Sequence, residues 1–185
     1  MHVGNRPKNL VVLRLIAGRR SDHQILMALK GQTGGVSNHE GSVRRAIPGD
    51  LDAVLELDRA APVGRERSAL LTDRVQSGDV IIFEREGRVL GYSVLRDRAF
   101  FGRDFVELLA VGVGDRRRGV GSSLLRRAVE LSTTEKIFTS TNRSNSPMVH
   151  LLEKAGWQFS GQLEGIDDGD PEMIYYVESS YPSRT

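Results

Sequence analysis

From position 43 onward, apolar and polar residues recur with periods that assign one element after another. Residues 43–46 read as a short strand, and Pro48 stands where a helix begins. Leu51, Val54, Leu55 and Leu57 give that helix an apolar face. A loop at 61–64 leads to a second helix over about 66–76. Strands follow over 80–83 and 89–95, separated by a polar, glycine-bearing stretch that suits a hairpin turn. A third strand is predicted over 105–111, then a helix over 119–131 with Val120, Leu124 and Ala128 on one face. A strand over 137–140, a helix opened by Pro147 and closed near Gly156, and strands at 157–159 and 173–177 complete the set.

The order is strand, two helices, three strands, then helix, strand, helix and two strands. A strand–helix–strand unit over 105–140 requires a locally parallel pair, and the meander before it supplies antiparallel pairs. The fold class is therefore α/β (α+β), a mixed sheet with helices on its faces, in one domain over 43–185. The sequence contains neither an internal repeat nor a second domain. Residues 1–42 read as an N-terminal extension, flexible over the Gly/Ser/Asn-rich stretch 31–38. Ile25, Leu26 and Leu29 fall near helical spacing before it, and a true start at Met27 or later is an equal reading.

Charge and composition narrow the classes. Residues 1–42 hold six basic residues against Asp22 and Glu40, a net of +4, and the other 20 basic and 22 acidic residues leave −2. A nucleic-acid-binding domain carries its positive excess in the folded part. Here the excess lies in the extension, which argues against nucleic acid and for a small-molecule protein. The chain of 185 residues has no cysteine, which excludes disulfides, zinc ribbons and cysteine nucleophiles. No metal is expected. No apolar run approaches a membrane span, and Arg14 followed by Arg19-Arg20 is unlike a secretory leader, so the expectation is a cytoplasmic protein without a membrane partner.

The stretch Val111-Gly112-Val113-Gly114-Asp115-Arg116-Arg117-Arg118-Gly119-Val120-Gly121-Ser122 carries the chemistry. A strand enters a glycine-containing turn and a helix begins at once. Unpaired N–H groups at a helix start, and the helix dipole, favour an anion there. Gly119 and Gly121 would let a phosphate approach the backbone, and three arginines add positive potential. Two familiar phosphate loops fail on particular residues. Gly114 to Gly119 has Walker A spacing, but Val120 stands where lysine is required. Gly119-Val120-Gly121 could open a dinucleotide fingerprint, but Leu124 replaces its third glycine, and no acidic residue ends the next strand.

What remains resembles the GNAT family of N-acetyltransferases, whose loop reads Arg/Gln-x-x-Gly-x-Gly/Ala after a short apolar run. Here the run is Leu109-Ala110-Val111, followed by Arg116-x-x-Gly119-x-Gly121. Downstream, Asn145, Leu151, Glu153, Gly156 and Trp157 are similar to the family's Asn…Leu-Tyr-Glu…Gly-Phe helix. Upstream, residues 43–51 resemble its opening strand and helix. The likeness covers about 43–178. It implies a mostly antiparallel sheet with a splayed parallel pair, and acetyl-coenzyme A as cosubstrate. It also implies that Leu109, Ala110 and Val111 meet the pantetheine arm, that Arg116 through Ser122 hold the pyrophosphate, and that Asn145 hydrogen-bonds the cofactor. Asn145 would equally serve as a helix cap before Pro147.

Acetyl transfer to an amine needs a proton acceptor, a polarised thioester carbonyl and a proton for the leaving thiolate. Glu107 interrupts the apolar run 105–111, where desolvation would suit it to take a proton; an exposed carboxylate on the sheet surface is the equal alternative. The family's thiolate-protonating tyrosine would fall at Leu152, which cannot donate. Tyr175, Tyr176 or Ser144 would then serve, or water; His150 reads as a helix-surface residue. The acidic stretch 165–172 borders the region that the resemblance assigns to the acceptor, either attracting a cationic amine or forming a solvated turn. The implied activity is direct acetyl transfer to a small-molecule or peptide amine. A non-catalytic acyl-coenzyme A sensor is the alternative that Leu152 favours. A homodimer is among the states the sequence allows.

Overall fold

The computed structural model describes residues 41–59 and 65–179. The extension expected over 1–42 falls outside the described residues except for its last two positions, as does the loop expected at 61–64. Among the described residues, seven strands and four helices follow the expected order. They are β1 (Ser42–Arg45), α1 (Leu51–Arg59), α2 (Arg65–Gln76), β2 (Val80–Arg85), β3 (Arg88–Phe100), β4 (Arg103–Val111), α3 (Val120–Leu131), β5 (Lys136–Asn142), α4 (Ser146–Lys154), β6 (Gln158–Leu163) and β7 (Glu172–Glu178). Short 3-10 turns at Pro48–Asp50 and Val113–Asp115 precede α1 and α3.

The largest departure from the sequence reading is β3, which continues past Leu95 to Phe100 through Arg96, Asp97 and Arg98. Its outer part is held by the start of β4, with Arg96 opposite Phe105 and Phe100 opposite Arg103. Strand pairing there overrides the polar residues that ended the apolar pattern. The hairpin closes through Phe101 and Gly102, the latter at a φ of 76°, a left-handed value that glycine adopts without strain.

The strands form one mixed sheet in the order β1-β2-β3-β4-β5-β7-β6. Every neighbouring pair is antiparallel except β4 with β5. One face is covered by α3 and α4, whose Val120, Leu124, Leu125, Ala128 and Leu152 pack on Ile81, Leu95, Val106, Ile137 and Tyr175. The other is covered by α1 and α2, whose Val54, Leu71 and Val75 pack on Val80, Ile82, Tyr92 and Val94. Burying each such aliphatic side chain stabilises the fold by roughly 1.5–3 kcal/mol.

Two devices fix the helices on this frame. A Cβ on Gly91 would stand 2.8 Å from the Ala110 carbonyl oxygen and 2.8 Å from Val120, so glycine is what seats the start of α3 directly on β3 and β4. On the opposite face, the buried Tyr92 hydroxyl donates to Asp58 Oδ1 at 2.5 Å, and Arg67 Nε donates to the same oxygen at 2.9 Å. This triad ties α1, α2 and β3 together. Burial pushes the Tyr92 phenol above its usual range, with Arg67 opposing and Asp58 adding to the shift.

Candidate functional site

The sheet opens at its centre. Strands β4 and β5 pair only at Asp104–Ile137, Phe105–Phe138 and Val106–Thr139. Beyond that point β4 stays with β3 as far as Val111, and β5 stays with β7 as far as Asn142. The two strands therefore part, each keeping its outer neighbour and facing the other across a gap. The buried Thr139 hydroxyl donates to the Val106 carbonyl at 2.9 Å, at the last paired position. Leu109, Ala110 and Val111 line the β4 arm and are half-buried.

The β4 arm leads straight into the arginine-rich turn. Gly112 N–H donates to the Leu90 carbonyl and Asp115 N–H to the Gly112 carbonyl, both at 2.9 Å, which turns the chain back toward the sheet. Buried Asp115 accepts from Arg88 Nη2 at 3.2 Å, and Arg118 lies 3.8 Å from it. Gly119 caps α3 at a φ of 84°, and a Cβ at this position would meet only open space. The first helical hydrogen bond runs from Ser123 N–H to the Gly119 carbonyl, so the N–H groups of Val120, Gly121 and Ser122 precede it and point out of the helix start. Arg116, Arg117 and Arg118 are exposed around it, Arg117 at a φ of 60°. This arrangement presents converging donors and positive charge to an anion. Gly121 is also a packing glycine: a Cβ there would come within 2.9 Å of Leu151 on α4.

The β5 arm ends at Asn145, the cap residue of α4. Its side chain does not cap the helix. The amide Nδ2 donates to Thr141 at 3.0 Å, and the side-chain oxygen has no partner among the described residues. That oxygen is free to accept from a ligand. Tyr175 lies opposite Thr139 on β7, in the same buried cluster as Leu152. Burial raises its phenol above the usual range, and the nearby Glu153 charge adds to the shift. Leu152 is fully buried and contributes only to packing. His150 is exposed on α4, as the sequence indicated.

The opposite face of the same opening is acidic above an aromatic floor. Phe105, Phe138 and Tyr176 share one row across β4, β5 and β7, with Phe100 stacked on Phe105 at 5.2 Å. One step along, a register shift between Val94 and Leu95 leaves Glu107 as an extra residue between the Val106–Leu95 and Leu108–Val94 pairs. Such a bulge re-aims its side chain. Glu107 accordingly turns to the α2 side, where its Oε2 accepts from Arg74 Nε at 3.0 Å and Arg96 Nη1 at 3.4 Å. The carboxylate sits between two guanidinium groups rather than in purely apolar surroundings. Its Oε1 has no hydrogen-bond partner among the described residues.

Four positions beyond Phe138 on β5, Asn142 pairs with Glu172 at the start of β7. Glu172 is 3% exposed, and its Oε2 is buried without a hydrogen-bond partner. Burial pushes its carboxyl above the usual range; the Ser140 hydroxyl opposes this, and the charges of Asp167 and Asp170 add to it. The loop before it is strapped to the end of β5. Asn142 Nδ2 donates to Asp167 at 2.8 Å, and Ser144 donates to Asp170 from both N–H and hydroxyl, at 2.9 and 2.6 Å.

The structure thus brings Leu109 to Val111, the turn at 116–122, Asn145 and Glu107 to the rims of one opening in the sheet, and leaves Tyr175 buried one strand away on β7, on the face opposite Glu107. Sequence reasoning did not find Arg74, Arg96 or Gly91, and it met Glu172 only as the end of an acidic stretch. Strand alternation was the available signal for Glu172, since parity with Ile174 and Tyr176 places it on the Glu107 face. No group of acidic or histidine residues suited to a metal occurs among the described residues, and no helix there is long and apolar enough to cross a membrane.

Comparison with known proteins bears on this geometry. The model of the acetyltransferase (GNAT) family matches residues 51–157. A GNAT-family acetyltransferase from Bacillus cereus ATCC 10987, solved as a crystal structure, is 32% identical with a TM-score of 0.72, over 75% of this chain and 97% of that one. The structure of yncA from Salmonella typhimurium, solved with its cofactor acetyl-CoA, is 20% identical with a TM-score of 0.63, over 79% and 96%. A ribosomal-protein-alanine N-acetyltransferase from Brucella melitensis is 24% identical with a TM-score of 0.61, over 74% and 99%. The last two share the fold. No curated protein matches the chain in sequence.

Proposed function

The chain belongs to the GNAT family of acetyltransferases, and on that premise we propose that it transfers the acetyl group of acetyl-coenzyme A to a primary amine by direct attack in a ternary complex. The observation that carries this reading is the parting of β4 from β5 immediately ahead of the α3 start. A narrow gap lined by unpaired strand edges accepts an extended, amide-bearing arm, and the helix start at its end accepts a pyrophosphate. The residues fit the cosubstrate: Gly119 leaves open space at the turn, the N–H groups of Val120, Gly121 and Ser122 are available, and Arg116 to Arg118 flank them. Leu109, Ala110 and Val111 meet the arm, and the Asn145 side-chain oxygen accepts from it. When bound, the cosubstrate supplies an activated thioester.

The protein's own groups then divide the proton work. Arg74 and Arg96 hold Glu107 by Oε2, which leaves Oε1 to take the proton of the acceptor's ammonium. Tyr175, kept protonated by its buried position, returns a proton to the departing thiolate from the opposite face. The acceptor is a small-molecule or peptide amine, and the setting is cytoplasmic.

The second reading, an acyl-coenzyme A sensor without turnover, is favoured by the buried, purely structural Leu152. Thiol release from acetyl-coenzyme A, followed across amines, peptides and polyamines, separates the two. Release that depends on an amine supports acetyl transfer. Tight cofactor binding without release on every acceptor supports the sensor.

A further inference from the structure

Glu172 has no part in the scheme above, yet its state requires one. A carboxylate oxygen withdrawn from water without a donor costs the fold free energy, because an ionised acceptor loses its hydration and gains nothing in return. The other buried acids among the described residues are matched. Asp58 has Tyr92 and Arg67, Asp104 has the Arg98 N–H, the Thr133 N–H and Ser132, and Asp115 has Arg88. Glu172 Oε2 has none. The neighbouring charges make matters worse rather than better, since Asp167 and Asp170 are acidic too.

The register says where this oxygen lies. Phe138, Ser140 and Asn142 point to one face of β5, and Tyr176, Ile174 and Glu172 stand opposite them on β7. That is the face of Phe105 and Glu107 on β4. Glu172 therefore occupies the β5–β7 side of the opening and Glu107 the β4 side, both above the aromatic floor. Beyond Thr139 the other edge of β5 has no strand partner among the described residues, and Ser140 on this face is half-buried. A hydrogen-bond donor reaching this face would complete Glu172, and a cationic one would do so most strongly.

We propose that Glu172 is the residue that anchors the positive charge of the acceptor, so that charge decides which acceptors bind. This rests on the N-acetyltransferase reading and adds a specificity-determining residue to it. Glu172 holds the ammonium, and Glu107 remains the group that removes its proton. Asp167, held by Asn142, and Asp170, held by Ser144, deepen the negative potential without reaching Glu172 as partners.

The test uses the full chain saturated with coenzyme A, titrated with n-butylamine hydrochloride and with its neutral counterpart n-butanol, and followed by NMR shifts of the Ser140 and Glu172 amides. The wild type is expected to bind the ammonium at least about tenfold more tightly than the alcohol. Glu172→Gln, which keeps the shape and the contact with Ser140, brings that ratio to about one while the coenzyme A affinity stays unchanged. Glu172→Asp, with the charge drawn back by one methylene, gives an intermediate ratio and serves if the glutamine variant does not fold. Among acceptors that turn over, Glu172→Gln raises KM by at least about tenfold with kcat within about threefold. A wild type without ammonium preference overturns the proposal, as does a Glu172→Gln variant that retains it or that loses kcat at constant KM. Thiol release by the wild type judges acetyl transfer separately, since the binding ratio is read without turnover.

Discussion

The proposed donor and acceptor sides of the opening are made of different materials. The donor side is backbone: N–H groups at the start of α3, a left-handed glycine, and strand edges, all within residues 109–122. The acceptor side is made of charged side chains from α2, β3, β4 and β7, drawn together only by the sheet. Backbone geometry tolerates changes of surface residues, because any residue but proline supplies an N–H. A side-chain constellation depends on each member. The cosubstrate end therefore depends on a few glycines and on backbone N–H groups, and the acceptor end on the identity of each charged side chain.

Substitutions can break that contrast in order of effect. On the acceptor side, Glu107→Gln is expected to lower kcat by about 10²- to 10⁴-fold at neutral pH with acetyl-coenzyme A affinity unaltered, measured by steady-state kinetics and calorimetry. Full activity would remove Glu107 from the mechanism. On the donor side, Gly121→Glu places a carboxylate at the helix start and a Cβ against Leu151, and should weaken acetyl-coenzyme A binding by about 100-fold or more. Unchanged affinity would sink the phosphate-loop assignment.

Smaller effects test the frame behind each side. Tyr92→Phe removes one donor from Asp58 but leaves Arg67, so chemical denaturation should show a loss of about 1 kcal/mol without a change in cofactor affinity. The smallest effect concerns Glu172. Burial raises its folded-state pKa, so between its unfolded and folded values the native protein binds more protons than the unfolded chain. Stability then falls as pH rises through that window. Glu172→Gln lacks this penalty and should raise Tm by a few degrees at most on the alkaline side, with the gain vanishing in acid below the ordinary glutamate range. A variant less stable than wild type at high pH would contradict it.

The two sides were unequally legible. Element order, the mixed sheet and the place of the glycine- and arginine-rich turn could be read because each rests on local pattern: helical spacing in Val120, Leu124 and Ala128, and glycines next to a strand end. Membership of the family followed from those same residues. Arg74 and Arg96 could not be read, because what makes them special is a shared partner at Glu107, 33 and 11 residues away. The bulge that turns Glu107 toward them arises between two strands and leaves no mark on either one alone. Gly91 likewise looked like an ordinary strand residue, since the helix start it accommodates lies some thirty positions on. The charged end of β3 misled for a related reason: pairing with β4 outweighed polarity.

The hydroxyl of Thr139 closing on the Val106 carbonyl has a further consequence. It acts as a stop on a zipper, marking where the sheet ceases to be continuous and creating two unsatisfied rims in its interior. Exposed rims of this kind on an outer strand would recruit other chains and seed aggregation. Facing each other within one molecule, they are out of reach of a second sheet. Amides of β4 past Val106 that point away from β3 should therefore exchange with solvent far faster than their buried setting suggests, and slow down when a ligand fills the gap.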